Sequence, residues 1–124
     1  RVIASSGELA RIMLAIKSAL ADRDSTPLLV FDEIDSNVGG EIARAVGLKM
    51  RDLGKKHQVI SITHFPQVAG LAASHFLVEK AVVKNRSISR LREVAGDERV
   101  SELVRMLGGG GNVARAHAKT LLKI

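Results

Sequence analysis

Apolar residues recur at helical spacing near the start of the chain, through Leu9, Ile12, Met13, Ile16, Ala19 and Leu20, and predict a helix over Gly7–Ala21. Ser5 followed three residues later by Glu8 is a capping-box pattern, in which each side chain satisfies a backbone N–H that the first helical turn leaves free. A turn cluster from Asp22 to Pro27 comes next. After it, Leu28-Leu29-Val30-Phe31 is a short unbroken apolar run of the kind that a strand covered on both faces needs. The run ends in Asp32-Glu33-Ile34-Asp35. Ser36 to Gly40 reads as a loop with paired glycines, and Ile42, Val46, Met50 and Leu53 mark one face of a second amphipathic helix stopped by Gly54. Val59-Ile60-Ser61-Ile62-Thr63 is a second, β-branched strand with His64 at its end. Strand, helix, strand in this order predicts a βαβ unit with parallel strands and a right-handed crossover.

A short helix is expected after Pro66. From Phe76 to Val94 the pattern becomes that of a hairpin: Phe76-Leu77-Val78, Val82-Val83, a polar Lys84-Asn85-Arg86 turn, then alternating Ile88, Arg90 and Arg92 that give one wet, basic face. Helical spacing returns from Asp97 to Leu107 through Val100, Leu103, Val104 and Leu107. The run Gly108 to Gly111 ends it, and Asn112–Lys123 is expected as the last helix. There is no internal repeat. The fold class is therefore α/β, with parallel strands flanked by helices followed by a hairpin and further helices.

Composition narrows what such a fold can do. The 124 residues give room for one domain with its own core. Lys and Arg number 19 against 13 Asp and Glu, a formal charge of +6, and the surplus is uneven. Residues 1 to 79 carry 9 basic and 9 acidic side chains, whereas residues 80 to 124 carry 10 basic and 4 acidic. A polyanionic partner would meet that last third, although solvated helix and hairpin faces account for the charge as well. The absence of cysteine excludes a disulfide framework, thiolate metal sites and Cys nucleophiles, and fits a reducing compartment. With no Trp or Tyr and three Phe there is no aromatic platform for stacking single-stranded bases, so any nucleic-acid contact would be electrostatic. His57 to Val78 lacks Asp, Glu, Lys and Arg, but His57, Gln58, His64, Pro66, Gln67 and His75 interrupt it, so no membrane span is expected. Arg1-Val2-Ile3-Ala4 is not a signal peptide and reads as a chain already under way.

Three places could carry chemistry. Asp32 and Glu33 sit where a parallel strand ends, the edge at which ligand sites of α/β folds open. One carboxylate there can hold Mg²⁺, directly or through water, and its neighbour can orient or deprotonate an attacking water, with Asp35 two residues on. The plain alternative is a solvated loop entrance. Ser5-Ser6-Gly7-Glu8 offers hydroxyls, a backbone open to close approach and the positive end of a helix dipole, which together favour an anion. Its alternative is a helix cap and nothing more. His64, in Thr63-His64-Phe65-Pro66, could touch a phosphate or polarise water, or serve as a hydrogen-bonded structural residue.

The order of these signals resembles the C-terminal part of an ABC-type ATPase head, with its signature motif, Walker B strand, D-loop and switch histidine. The strings Ala4-Ser5-Ser6-Gly7-Glu8-Leu9-Ala10-Arg11, Val30-Phe31-Asp32-Glu33-Ile34-Asp35 with Val38-Gly39-Gly40, and Thr63-His64-Phe65-Pro66-Gln67-Val68-Ala69 resemble the bacterial RecN family, SMC-like proteins of DNA repair. Arg105-Met106-Leu107-Gly108-Gly109 and His117-Ala118-Lys119 resemble that family's ending, so the likeness runs from Ala4 to about Leu122. It implies ATP and Mg²⁺ as cofactors. Ser5 and Gly7, with Ser6 and Glu8 beside them, would contact the γ-phosphate of ATP held by an opposing head. Asp32 would support Mg²⁺, Glu33 would be the catalytic base, Asp35 would lie in the D-loop across the dimer, and His64 would sense the γ-phosphate. Ser6 departs from the family, which usually has glycine there, and its Cβ could crowd the approach to phosphate. Asn37 also stands where glycine is common, a milder change because Asn tolerates left-handed conformations.

A phosphate-cradling G-x-x-x-x-G-K-[ST] loop is missing from the sequence, and Gly108 to Gly111, followed by Asn112-Val113, does not supply one. The resembled family carries that loop in an N-terminal part beyond a long coiled coil. The chain is thus expected to be the C-terminal lobe of a split head, inactive alone. Its expected partners are the P-loop lobe, a second head across sandwiched ATP, and DNA, without a membrane, in a cytoplasmic, nucleoid-associated protein. A sheet cut in this way exposes edges and apolar faces, which predicts a concentration-dependent dimer or a partly mobile first helix. Three other readings compete. A transporter's nucleotide-binding domain shares this logic but usually has Gln where Glu8 stands. A nuclease could hold metal on Asp32, Glu33 and Asp35, and a basic DNA-binding or dimerisation module would use Arg90 and Arg92.

Overall fold

The computed structural model describes residues 4–83 and 86–123. The Lys84 and Asn85 positions of the expected hairpin turn, and Arg1-Val2-Ile3 at the start, lie outside the described residues. Helix α1 (Ser6–Ala19) begins with the expected capping box: the Ser5 hydroxyl accepts from the Glu8 N–H at 3.3 Å, and Glu8 Oε2 accepts from the Ser5 N–H at 2.9 Å. Strand β1 (Leu28–Asp32), helix α2 (Gly40–Leu53) and strand β2 (Gln58–Ile62) form the βαβ unit, with β1 and β2 parallel and Leu28 opposite Gln58 through Asp32 opposite Ile62.

Partners in this register point to the same side, so the sheet has two unlike faces. On one, Leu29 and Phe31 are buried against Ala43, Val46, Met50 and Leu53 of α2, in a core that Leu14, Ile34 and Val68 complete. The other carries Leu28, Val30, Ile60 and Ile62, which are 43 to 59% exposed. Here the expectation of a strand covered on both faces is corrected, because no layer among the described residues lies over that side. Helix α1 departs in the same sense. Leu9, Ile12, Met13, Ile16 and Leu20 stand about half exposed, while Gly7 and Leu14 are the residues it buries. In α2, Ile42 is exposed and Ala43 takes the core position expected of it. In each case the periodicity marks an apolar stripe correctly, but not which neighbour covers it.

Helix α3 (Pro66–Ala69) starts with proline at its first position, where the missing N–H costs no hydrogen bond. Strands β3 (His75–Val83) and β4 (Arg86–Val94) pair antiparallel as the predicted hairpin. Their register places Ile88, Arg90 and Arg92 on one face with Leu77 and Glu79, the wet basic face expected, and adds Arg86, which opens β4 and pairs in the ladder where a turn position was expected. The opposite face carries Phe76, Val78, Val82 and Leu91, all more than half exposed. Helices α4 (Gly96–Met106) and α5 (Asn112–Leu121) close the chain around a second core of Ala69, Val100, Leu103 and Ala118. Gly108, at φ +71°, takes the left-handed conformation that stops α4 without a side-chain penalty. Arg99 ties α4 to the end of α3 by donating to the carbonyls of Ala69 at 3.1 Å and Ala72 at 2.6 Å. No helix among the described residues is long and apolar enough to cross a membrane.

Candidate functional site

Strand alternation decides how the carboxylates leave β1. Leu29 and Phe31 point into the core, so Asp32 falls on the open face, and it is exposed with no side-chain hydrogen bond among the described residues. At Glu33 the backbone turns into the left-handed region, φ +56°, which breaks the strand. The Ser36 N–H then donates to the Glu33 carbonyl at 2.9 Å, closing a turn that drives Ile34 and Asp35 completely into the interior. Asn37 follows at φ +57°, the left-handed conformation that an Asn side chain tolerates.

The start of α1 docks on this turn. Gly7 is buried, and a Cβ there would collide with Ser36 Oγ and lie 2.9 Å from the Glu33 carbonyl oxygen, so only glycine permits the approach. Ser6 Oγ donates to Glu33 Oε2 at 2.6 Å. Arg11 Nη1 donates to the carbonyls of Ile34 at 3.0 Å and Ser36 at 3.2 Å, fastening the loop one helical turn further along. Ser5 and Glu8 are occupied with each other in the cap.

From the other side comes the end of β2. The Thr63 hydroxyl donates to Asp35 Oδ2 and accepts from the Phe65 N–H at 3.0 Å. His64 Nδ1 stands 3.8 Å from Asp35 Oδ1, too far for a hydrogen bond, and its ring leans on Phe65 with centroids 4.6 Å apart. The His64 side chain is 72% exposed and that of Asp35 1%, so a surface imidazole sits over a buried carboxylate. Among the described residues Asp35 Oδ1 has no hydrogen-bond partner, and the His64 ring lies over it.

The structure thus links Ser6, Gly7 and Glu33 directly, bonds Asp35 to Thr63 with the His64 ring above it, and leaves Asp32 free at the mouth. Arg11 and Thr63 were not singled out from the sequence. Arg11 is four residues after Gly7, hence on the same helical face, and Thr63 immediately precedes His64, and these spacings are the signals that could have found them. Among the described residues no group of three His, Asp or Glu side chains converges to hold a metal. The grouped carboxylates that a two-metal nuclease needs are therefore not assembled by Asp32, Glu33 and Asp35.

A scan against protein-family models finds no match. The DNA repair protein RecN of Xylella fastidiosa (strain 9a5c) is 45% identical over 118 residues, which is 95% of this chain and 21% of that protein. RecN of Mycobacterium leprae is 46% identical over 121 residues, 96% of this chain and 20% of its own length. RecN of Bacillus subtilis (strain 168) is 38% identical over 123 residues, 98% of this chain and 21% of its own. Over nearly its whole length the chain is similar to a segment of RecN. It spans about a fifth of the length of these RecN relatives. A solved structure described as structural biochemistry of ATP-driven dimerization and DNA stimulated activation of SMC ATPases matches with a TM-score of 0.61 at 20% identity, covering 87% of this chain and 65% of that one. The RecN-like chain therefore has the α/β fold of an SMC-type ATPase head.

Proposed function

We propose that the RecN-like chain is the C-terminal lobe of an ATPase head and supplies the hydrolytic half of an ATP site in recombinational repair of DNA double-strand breaks. The observation that carries this reading is the convergence of the α1 start on the turn that holds Glu33, with Asp35 and His64 beside each other on its far side. The residues fit part of a magnesium nucleotide site: a free carboxylate at a strand end, and a helix start whose N–H groups and dipole favour an anion. Asp32 would support Mg²⁺, and Ser5, Ser6, Gly7 and Glu8 would face the phosphates of ATP held by a second head. Bound ATP and Mg²⁺ supply the phosphoryl group and the neutralising charge for its transfer to water. Glu33 would take the proton of the attacking water on a carboxylate oxygen. His64 would contact the terminal phosphate from its exposed position, and Asp35 would keep that imidazole in place within the D-loop.

The phosphate cradle itself would come from a P-loop lobe of the same protein. The uncovered face of Leu28, Val30, Ile60 and Ile62 is where such a lobe would pack, since an apolar face of this kind is normally covered. Repair work of this type places the protein in the cytoplasm on the nucleoid, with DNA as the further partner. The test is ATP hydrolysis by the chain alone and after mixing with the P-loop-bearing lobe, each with Glu33 or with Glu33→Gln. Activity only in the mixture, lost in Glu33→Gln, is expected. Hydrolysis by the chain alone would overturn the split site, and full activity of Glu33→Gln would remove Glu33 as base.

A second, compatible reading concerns DNA, because alternation along β4 puts Arg86, Arg90 and Arg92 on one exposed face. Arg90→Ala should weaken duplex binding and reduce the slope of log K against log salt by about one phosphate's worth. An unchanged slope would remove Arg90 from that interface.

A further inference from the structure

Ser6 occupies the first helical position of α1, where the RecN resemblance implies glycine, and glycine has no hydroxyl. In this chain the hydroxyl donates to Glu33 Oε2 at 2.6 Å, joining residues 27 apart in sequence. The carboxylate is thereby drawn onto the first turn of α1, where unpaired N–H groups and the helix dipole favour negative charge. The Glu33 backbone is fixed as well. It is left-handed at φ +56°, a conformation that a residue with a side chain keeps only when its surroundings enforce it. Gly7 packs on its carbonyl, and the Ser36 N–H bonds the same oxygen at 2.9 Å.

We propose that Ser6 is a positioning residue that parks the Glu33 carboxylate on the start of α1, away from the water it would activate. This rests on the reading of Glu33 as the base. A serine hydroxyl donates one hydrogen bond at a time, so Ser6 cannot serve Glu33 and a phosphate together. Engaging an anion at the α1 start and releasing Glu33 are then a single exchange, which couples occupation of the signature motif to availability of the base. A sequence with glycine at this position has no such coupling.

The experiment compares Ser6→Ala, Ser6→Gly and Ser6→Thr in the chain assembled with its P-loop-bearing lobe, together with Glu33→Gln. Ser6→Ala and Ser6→Gly should each raise kcat about two- to ten-fold, the factor that one hydrogen bond of ordinary net strength represents. Ser6→Thr restores the hydroxyl and should return kcat toward its starting value. The nucleotide-free readout is the Glu33 ¹³Cδ resonance of the chain at neutral pH, which should move together in the Ala and Gly variants and return in the Thr variant. A rise in kcat for Ser6→Gly alone would assign the effect to the bulk of the Ser6 Cβ and overturn the proposal, as would a Glu33 resonance unmoved in Ser6→Ala. Hydrolysis lost in Glu33→Gln but indifferent to Ser6 would sink the parking role and leave the ATPase reading intact. Full activity of Glu33→Gln would remove the reading on which both rest.

Discussion

β1 and β2 pair in parallel over a packed face, with Leu29 and Phe31 buried, whereas β3 and β4 pair antiparallel and are largely exposed, with His75 and Leu77 half-buried and Val94 the residue that enters the interior. The contrast extends to what holds each in place. The end of β1 is fastened by groups distant in sequence: Ser6 to Glu33, Arg11 to Ile34 and Ser36, Thr63 to Asp35. The hairpin depends on its own ladder, with Arg92 bridging Glu79 and Glu98 as its charged link to α4. Backbone conformations that are costly in isolation persist where several remote segments over-determine them, and the left-handed Glu33 lies in that setting. The hairpin lacks such constraints, so it offers surface and charge and no fixed constellation.

The sharpest way to break this comparison is to hollow the packed face. Phe31 is 4% exposed in the main core, and Phe31→Ala should cost about 3–5 kcal/mol of stability, read as a fall in the urea midpoint with little change in slope. A loss below 1 kcal/mol would mean that β1 is not anchored by this core. Gly7→Ala comes next. Its methyl would meet Ser36 Oγ and the Glu33 carbonyl, so α1 must back away, at a cost of about 1–3 kcal/mol and with loss of the Ser6 to Glu33 bond. Wild-type stability in this variant, with an unmoved Glu33 resonance, would show that α1 does not sit tightly on the turn.

How much of this was legible in the sequence follows from the range of the forces involved. Helices and strands were, because period and capping are local: the Ser5–Glu8 box, the parallel β1 and β2, the hairpin and the alternation of Ile88, Arg90 and Arg92 all stand where pattern places them. Burial was read less well. Leu9, Ile12, Met13 and Ile16 form an apolar stripe, as do Leu28, Val30, Ile60 and Ile62, yet in this chain they face solvent, since periodicity shows that a face is apolar without showing what covers it. The site residues were legible as a linear order of motifs. Their bonding was not, because Ser6 meeting Glu33, Arg11 spanning the loop and Thr63 closing on Asp35 depend on contacts across 23 to 28 residues.

A smaller effect separates the two regions by pH. The Lys17 ammonium, with the Thr26 hydroxyl and N–H, holds the Asp24 carboxyl well below its ordinary value of 3.8, and this cluster anchors the turn that leads into β1. A carboxyl depressed by folding adds stability that is complete above its unfolded value and fades as pH falls through the folded one. The wild type should therefore lose stability progressively below about pH 4, and Asp24→Asn, already without that contribution at pH 7, should show a shallower decline over the same acid range. Parallel acid curves for the two proteins would remove Asp24 from the account.

The least effect on folding is expected from the hairpin. Leu91 is 67% exposed on the apolar side of β4 and touches no core, so Leu91→Ser should change stability by no more than about 0.5 kcal/mol, measured by the same urea midpoint as Phe31→Ala. Arg92→Gln removes the link to Glu79 and Glu98, but those ion pairs are open to water, so any difference from wild type should shrink as salt rises. If Leu91→Ser instead destabilised the chain as much as a core substitution, the hairpin would have to be packed by something beyond its own ladder, and the contrast between the two sheets would collapse. If it left stability unchanged while lowering self-association at high concentration, the apolar side of the hairpin would join the open face of β1 and β2 as surface that only another polypeptide covers.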